Sequence, residues 1–187
     1  MPVLELIYPG ETVPVLAGLP GGESLPVVTA EGLVVGRAER RACHSAGLLH
    51  PVVHLHVVSR DEKLYIQHRS ESKDLYPGRW DTAVGGHVGY GETFIEALYR
   101  EAWEELGLRD FNPIHVDTYI HESNSEKELV CVYAAVGNFP INPDGEEVSE
   151  GRFWPFPEID ATLKKSVFTP NFEEEYVRFK SKLISLL

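Results

Sequence analysis

Residues 86–108 read GHVGYGETFIEALYREAWEELGL, and this stretch predicts the helix around which the site is organised. Thr93 and Glu96 form a capping box, in which each side chain satisfies a backbone N–H group at the start of a helix. Gly107 stands where helices commonly end in a left-handed residue. Between these two signals, apolar residues recur with the 3.6-residue period of an amphipathic helix, at Ile95, Leu98, Tyr99, Ala102 and Leu106.

The polar flank of this helix carries three glutamates, Glu101, Glu104 and Glu105. Their i+3 and i+4 spacing projects the carboxylates from one flank, where like charges repel. Arg100 can pair with Glu96 or with Glu104, one turn away on either side. Three glutamates alone would also suit a solvated helix face. A hard, oxygen-binding cation such as Mg²⁺ would relieve the repulsion, so the spacing also suits a divalent-cation site.

The glutamates belong to a longer pattern, G-x5-E-x7-R-E-U-x-E-E-x-G-U, where U is an aliphatic residue. Its positions are filled by Gly86, Glu92, Arg100, Glu101, Ala102, Glu104, Glu105, Gly107 and Leu108. This pattern resembles the Nudix box and is complete at every position. The resemblance favours the cation site over the solvated face.

The resemblance to the Nudix family implies an α/β fold, a Nudix α/β/α sandwich with a mixed β-sheet. It implies Mg²⁺-dependent hydrolysis of a diphosphate linkage in a nucleotide or another diphosphate metabolite. By the same resemblance, Glu104 and Glu105 are the strongest metal ligands, followed by Glu101 and the Gly86 backbone. Arg100 joins the three glutamates as a catalytic residue. The general base is not fixed, because family members often take it from outside the box.

The resemblance extends beyond the box, to the Nudix branch that contains isopentenyl-diphosphate isomerases and their hydrolase relatives. The shared features include Cys43-His44, Leu49-His50, the segment 76–81, Gly86-His87 and Glu126-Lys127-Glu128. In the isomerases, three histidines and an E-x-E pair build a metal site. The matching residues of this chain are His44, His50, His87, Glu126 and Glu128, which suit a second divalent cation such as Mn²⁺ or Zn²⁺.

Two basic residues fall where these relatives bind the diphosphate, namely Arg69 and Lys73. An arginine fork suits that role, although both residues could also be solvated loop charges. Glu147 and Glu150 follow in a loop near a candidate position for the general base, and we interpret that loop as solvated.

One departure separates this chain from the isomerases. They place a catalytic cysteine immediately before the Gly-His step, where this chain has Gly85, which cannot transfer a proton. The isomerases also tend to carry a degraded box, whereas this one is intact. Hydrolysis is therefore the favoured reaction. The alternatives are an isopentenyl-diphosphate isomerase and a non-catalytic nucleotide-binding module.

Composition limits the partners and the compartment. The 187 residues carry 17 Lys and Arg against 29 Asp and Glu, a net charge of −12, which opposes binding to a nucleic-acid polymer. No apolar run approaches the 18 or so residues of a membrane span, and the N-terminus does not resemble a secretory signal. We expect a cytoplasmic enzyme with a small-molecule diphosphate as its partner. The oligomeric state is open.

The rest of the chain predicts an irregular N-terminal arm over residues 1–24, rich in proline and glycine, and a single Nudix domain over residues 25–187. We expect a hairpin over 27–35, a short basic helix from Arg37 to Cys43, and a buried Cys131. Further strands are expected at 52–59, 63–68, 114–121, 129–136 and 151–155. Thr169-Pro170 predicts the start of a terminal helix, whose apolar stripe is Phe172, Tyr176, Phe179 and Leu183.

Overall fold

The structure is a computed structural model, and it describes residues 3–17 and 22–187. Within those ranges the strands are β1 (Val15–Ala17), β2 (Ser24–Val28), β3 (Val34–Glu39), β4 (His50–Ser59), β5 (Lys63–Arg69), β6 (Trp80–Thr82), β7 (Val84–His87), β8 (Ile114–Glu122), β9 (Lys127–Val136) and β10 (Val148–Pro155). The helices are α1 (Arg40–Ala46), α2 (Phe94–Leu106), α3 (Phe156–Thr162) and α4 (Pro170–Ile184). Among the described residues, no helix combines the length and the apolar character that a membrane crossing requires.

The described residues form two compact units. The first unit contains the residues up to Val53, together with Gly86–Leu98 and Asp117–Val132. The second unit contains His54–Gly85, Tyr99–Val116 and Tyr133–Leu187. The single Nudix domain expected over residues 25–187 remains a prediction.

The first unit holds a three-stranded sheet in the order β1-β3-β2. The expected hairpin is present, because β2 pairs antiparallel with β3 across a turn in which Gly32 has a φ of 84°. Residues Arg37–Glu39 continue β3, so α1 begins at Arg40 rather than at the predicted Arg37. The buried side chains that support this sheet are Leu25, Val27, Ala38 and Cys43.

The N-terminal arm is more regular than expected. β1 pairs parallel with β3, and Ile7 forms a bridge with Leu33. Tyr8 contacts the segment before α2, since its hydroxyl donates to the carbonyl of Glu92 at 2.9 Å and accepts from the N–H of Gly91 at 2.9 Å. The arm therefore helps to fix the loop that leads into the box helix. The predicted arm residues Pro2, Gly18, Pro20 and Gly21 lie outside the described residues.

The second, larger sheet has the strand order β10-β5-β4-β9-β8, with β6 paired to β5 and β7 paired to β4. In the second unit, β5 is antiparallel to β10, to β6 and to the end of β4. The predicted strands are confirmed with slightly longer bounds. Two short strands, β6 and β7, and the helix α3 were not predicted from the sequence. Cys131 is buried, as expected, in β9.

The helix signals correspond to observed hydrogen bonds. At the start of α2, the Thr93 N–H donates to Glu96 Oε2 at 2.8 Å and the Glu96 N–H donates to Thr93 Oγ1 at 3.2 Å, so the capping box is confirmed. Gly107 ends α2 with a φ of 61°. At α4, the Thr169 hydroxyl accepts from the Phe172 N–H at 3.2 Å. The predicted apolar stripe of α4 is buried at all four positions.

Candidate active site

The box glutamates share the last two turns of α2, where Arg100 holds two of them. Its Nη1 donates to Glu101 Oε1 at 2.7 Å and to Glu104 Oε2 at 3.2 Å. The Arg100–Glu104 pair is one of the two pairs expected from the spacing, while the bond to Glu101 was not expected. Glu104 is the most exposed of the three carboxylates, with 55% of its side chain accessible.

Glu105 is the buried member of the group, with 7% of its surface exposed. Its side chain receives one hydrogen bond from the described residues, from Gln67 Nε2 to Oε2 at 3.3 Å. Burial raises the pKa of Glu105 well above its ordinary value, and the charges of Glu101 and Glu147 raise it further. The opposing effects of Lys73 and Gln67 are smaller. The charged form of Glu105 is therefore poorly compensated by its surroundings.

Gln67 is a site residue that the sequence did not predict. It is buried on β5, and its amide also donates to the carbonyl of Ala83 at 3.1 Å. Both bonds together fix the amide plane, so Gln67 orients the Glu105 carboxylate. The one available signal was a glutamine inside an apolar strand, because a buried amide needs hydrogen-bond partners.

Burial also raises the pKa of Glu101, although the hydrogen bond and charge of Arg100 oppose this effect. Two neighbouring carboxyl groups are thus held in surroundings that disfavour their negative charge. Carboxylate oxygens are the ligands that Mg²⁺ and similar hard cations prefer. The three glutamates therefore fit a divalent cation, whose charge would compensate their carboxylates.

The two basic residues expected to bind diphosphate are oriented by loop contacts. Arg69 Nη1 lies 3.1 Å from Asp81 Oδ2, and its Nε and Nη2 donate to the Leu75 carbonyl at 3.2 and 2.9 Å. Lys73 Nζ lies 2.5 Å from Glu147 Oε2. The charges of Glu147 and Lys73 both act on the pKa of Glu105. The loop that carries Glu147 therefore lies near the box glutamates and is not only a solvated loop.

Three of the predicted metal ligands of the first unit lie together. His44, His50 and His87 each offer one nitrogen, and these nitrogens lie within 4.8 Å of one another. Their ring centroids are 5.3 to 5.7 Å apart. His44 Nε2 and His50 Nε2 are buried and have no hydrogen-bond partner among the residues that the structure describes. Imidazole nitrogens in this arrangement fit a transition-metal ion such as Zn²⁺ or Mn²⁺.

The electrostatics of His50 agree with a neutral ligand. Burial lowers its pKa, although a hydrogen bond between Nδ1 and the Leu48 carbonyl at 2.8 Å opposes this. Glu128 Oε1 lies 3.9 Å from His50 Nε2, and Glu126 acts on His50 through its charge. The two glutamates therefore lie near the histidines, but the group within 4.8 Å consists of the three histidines. Gly86 lies in β7, directly before His87.

Comparison with known proteins identifies the family. The sequence profile of the NUDIX domain matches residues 48–173. The uncharacterized Nudix hydrolase YfcD of Escherichia coli K12 is 30% identical over 149 residues, which cover 80% of this chain and 82% of YfcD. The isopentenyl-diphosphate Delta-isomerase of Leifsonia xyli is 29% identical over 163 residues, which cover 81% of this chain and 85% of the isomerase.

Solved structures support the same fold. The crystal structure of DR0079 from Deinococcus radiodurans has a TM-score of 0.71 and 26% identity, and covers 83% of this chain and 98% of DR0079. The NUDIX domain of Shewanella oneidensis NrtR, complexed with ADP ribose, shares the fold with a TM-score of 0.59 and 13% identity, over 71% of this chain and 87% of that domain. The predicted α/β sandwich with a mixed sheet is confirmed.

Proposed function

Because this chain belongs to the NUDIX domain family and is a hydrolase acting on pyrophosphate bonds, we propose that Mg²⁺ is its metal. We also propose that its substrate is a nucleotide or another diphosphate-linked metabolite. The observation that carries this proposal is the buried carboxyl group of Glu105. Its surroundings disfavour its charge, and two further carboxylates of the same helix flank lie within a turn. A divalent cation bound to these carboxylates would compensate their negative charge.

In this proposal, Glu101, Glu104 and Glu105 hold the cation. When bound, the cation neutralises charge on the diphosphate and lowers the pKa of a water molecule. Arg100 keeps the Glu101 and Glu104 carboxylates in place through its two hydrogen bonds. Gln67 does the same for Glu105.

Arg69 and Lys73 bind the diphosphate in this proposal. Asp81 and the Leu75 carbonyl orient the guanidinium of Arg69, which limits the conformational entropy that it loses when it binds an anion. Lys73 is paired with the largely exposed Glu147, a surface ion pair of the kind that contributes little to stability. A phosphate oxygen can therefore replace Glu147 at low cost.

We further propose that His44, His50 and His87 hold a second divalent cation, with Glu126 and Glu128 as additional ligands. The two buried imidazole nitrogens without a hydrogen-bond partner in the described part of the chain support this site. Its test is metal analysis of protein purified without added Zn²⁺ or Mn²⁺ and then exposed to one equivalent of either. His44→Ala should retain less of that metal than the wild type, and equal retention would contradict the site.

The isomerase alternative is not favoured, because Gly85 has no side chain that could transfer a proton to or from carbon. A non-catalytic binding module would leave hydrolysis undetectable while a ligand still binds. A single experiment gives different results for a hydrolase, an isomerase and a non-catalytic binding module.

That experiment is ³¹P NMR of the wild-type protein with Mg²⁺ and a panel of diphosphates, which includes ADP-ribose, nucleoside diphosphates, sugar nucleotides and isopentenyl diphosphate. Cleavage of a panel member by the wild type, lost in Glu104→Gln and retained in the exposed control Glu146→Gln, is the expected result. Cleavage that persists in Glu104→Gln, or double-bond migration without cleavage, would contradict the proposal.

A further inference from the structure

A second buried glutamate lies in the second unit, away from the box motif in sequence. Glu175 of α4 is enclosed by two histidines of β4, because His54 Nδ1 lies 2.8 Å from Oε2 and His56 Nε2 lies 2.6 Å from Oε1. The two histidines are two residues apart in a strand, so they project from the same face. Only 1% of the Glu175 side chain is exposed.

Glu175 fixes the tautomer of both rings. Burial raises its pKa, but His54 and His56 outweigh burial, through their charges when the rings are protonated and through their hydrogen bonds, and hold the pKa well below its ordinary value. A carboxylate accepts hydrogen bonds and cannot donate one. His54 must therefore carry a hydrogen on Nδ1, so a neutral His54 ring has its lone pair on Nε2.

The two histidines differ in access. His56 is fully buried, whereas 17% of the His54 side chain is exposed. A Cβ atom placed on Gly85 would lie 3.4 Å from His54 Cδ2 and 3.6 Å from Nε2. Gly85 is itself exposed. The Nε2 edge of His54 therefore lies beside the exposed Gly85, which has no side chain to cover it and which directly precedes the box in sequence.

We propose that His54 is the general base of the hydrolysis and that Glu175 is its positioning residue. This inference rests on the proposed function. Nε2 accepts a proton from water as the water oxygen forms a bond to phosphorus. The P–O bond of the phosphoanhydride breaks, and its electron pair leaves with the departing phosphate oxygen. His54 then returns the proton to the product or to solvent.

The carboxylate of Glu175 serves this step in two ways. It holds the ring in the orientation that keeps Nε2 toward Gly85, and its negative charge stabilises the imidazolium that forms. His56 occupies the other oxygen of Glu175 and so prevents the carboxylate from rotating. The arrangement supplies a proton acceptor from outside the box.

The test compares the wild type, His54→Ala and Glu175→Gln on whichever panel diphosphate the wild type cleaves, with His121→Ala as a control for the loss of an imidazole elsewhere. Removing a general base costs about 10² to 10⁴ in rate. We expect His54→Ala to lose that factor in kcat with KM nearly unchanged, and to regain activity when imidazole is added to the solution. Glu175→Gln should lose kcat without being rescued.

Rescue by imidazole separates catalysis from a structural role, because added imidazole cannot repair a misfolded protein. A His54→Ala variant with wild-type kcat, or one that imidazole does not rescue, would overturn the assignment while leaving the hydrolase intact. If the wild type cleaves no diphosphate in the panel, the proposed function fails and the role of His54 fails with it. Nitrogen NMR of the wild type tests the geometry independently, since a His54 ring protonated on Nε2 alone would also overturn the assignment.

Discussion

Glu105 and Glu175 are both buried glutamates on helices of the second unit, yet their surroundings have opposite effects. Around Glu105, burial and the charges of Glu101 and Glu147 raise its pKa, and a single amide donates to it. Around Glu175, two imidazoles each donate one hydrogen bond and lower its pKa despite burial. Both residues are buried, so the neighbouring groups determine whether the negative charge of each carboxyl group is favoured.

The difference separates two uses of a buried carboxyl group. A carboxylate whose oxygens are both paired has little need of an external cation, and it can orient the groups that pair with it. A carboxylate that is desolvated and surrounded by other acids favours a cation from solution. We therefore assign Glu105 to a metal site, and we assign Glu175 to the positioning of the residue that transfers the proton.

The largest expected effect is on catalysis by Glu105→Gln. The substitution keeps the shape of the side chain but removes the charge that a cation needs. Metal ions supply several kcal/mol of transition-state stabilisation, and each 1.4 kcal/mol or so is a factor of ten, so kcat/KM should fall by about 10³. Steady-state kinetics at saturating Mg²⁺ measures this loss. Glu146→Gln, an exposed carboxylate, should retain wild-type kinetics.

The free energy of unfolding should show the opposite order, with a larger loss in Glu175→Gln than in Glu105→Gln. Glu175→Gln leaves one of the two imidazoles facing a second N–H donor, and removing a buried hydrogen bond to a charged group costs about 2 kcal/mol of unfolding free energy. Glu105→Gln removes a poorly compensated charge, so without metal it should cost under about 1 kcal/mol. Urea unfolding in EDTA measures both, and Glu174→Gln, the exposed neighbour of Glu175, is the control. Equal losses in the two buried variants would contradict the opposite surroundings of Glu105 and Glu175.

The pH dependence of the Glu175 contribution has a definite sign. Its folded pKa lies below its ordinary value of 4.5, so its stabilisation is present above that pH and is lost as the pH falls toward the folded pKa. The stability difference between wild type and Glu175→Gln should therefore be full at neutral pH and shrink below about pH 4.5. Urea unfolding of both proteins between pH 3 and pH 7 checks this. A difference that grows in acid would contradict a charged Glu175 that accepts hydrogen bonds from the two imidazoles.

A smaller effect is expected for Gln67→Leu, which removes the amide that orients Glu105. Residues that orient metal ligands typically contribute 10- to 100-fold to metal affinity or activity. The variant should require about tenfold more Mg²⁺ for half-maximal activity, with kcat at saturating Mg²⁺ less affected. A Mg²⁺ titration of the initial rate measures this shift. An unchanged midpoint would remove Gln67 from the site.

The box was predictable because its residues are contiguous in sequence. The capping box, the helix end at Gly107 and the Arg100–Glu104 pair all follow from spacing within one helix. The three histidines are 43 residues apart at most, and they were predicted only because the matching family pattern places all of them. Their proximity within 4.8 Å is a property of the fold rather than of any local period.

The features that the sequence did not predict depend largely on contacts between residues that are far apart in the chain. His54 and His56 interact with a glutamate about 120 residues later, and no local period connects a strand to a terminal helix at that distance. The signal that was present is two histidines in an otherwise apolar strand, which implies a buried polar partner without identifying it. The short elements β6, β7 and α3 have too few residues to show a period. The arm gained its strand from pairing with β3, which propensity does not encode.

Electron paramagnetic resonance of free Mn²⁺ can count the ions that the wild type, Glu105→Gln and Glu175→Gln bind, and so tests whether only Glu105 belongs to a metal site. Mn²⁺ serves as a probe for the Mg²⁺ site because both ions accept carboxylate oxygens. We expect Glu105→Gln to bind one ion fewer than the wild type, and Glu175→Gln to bind the same number with an affinity within about threefold of the wild type. The same number and affinity in Glu105→Gln and the wild type would contradict the assignment of Glu105 to a metal site.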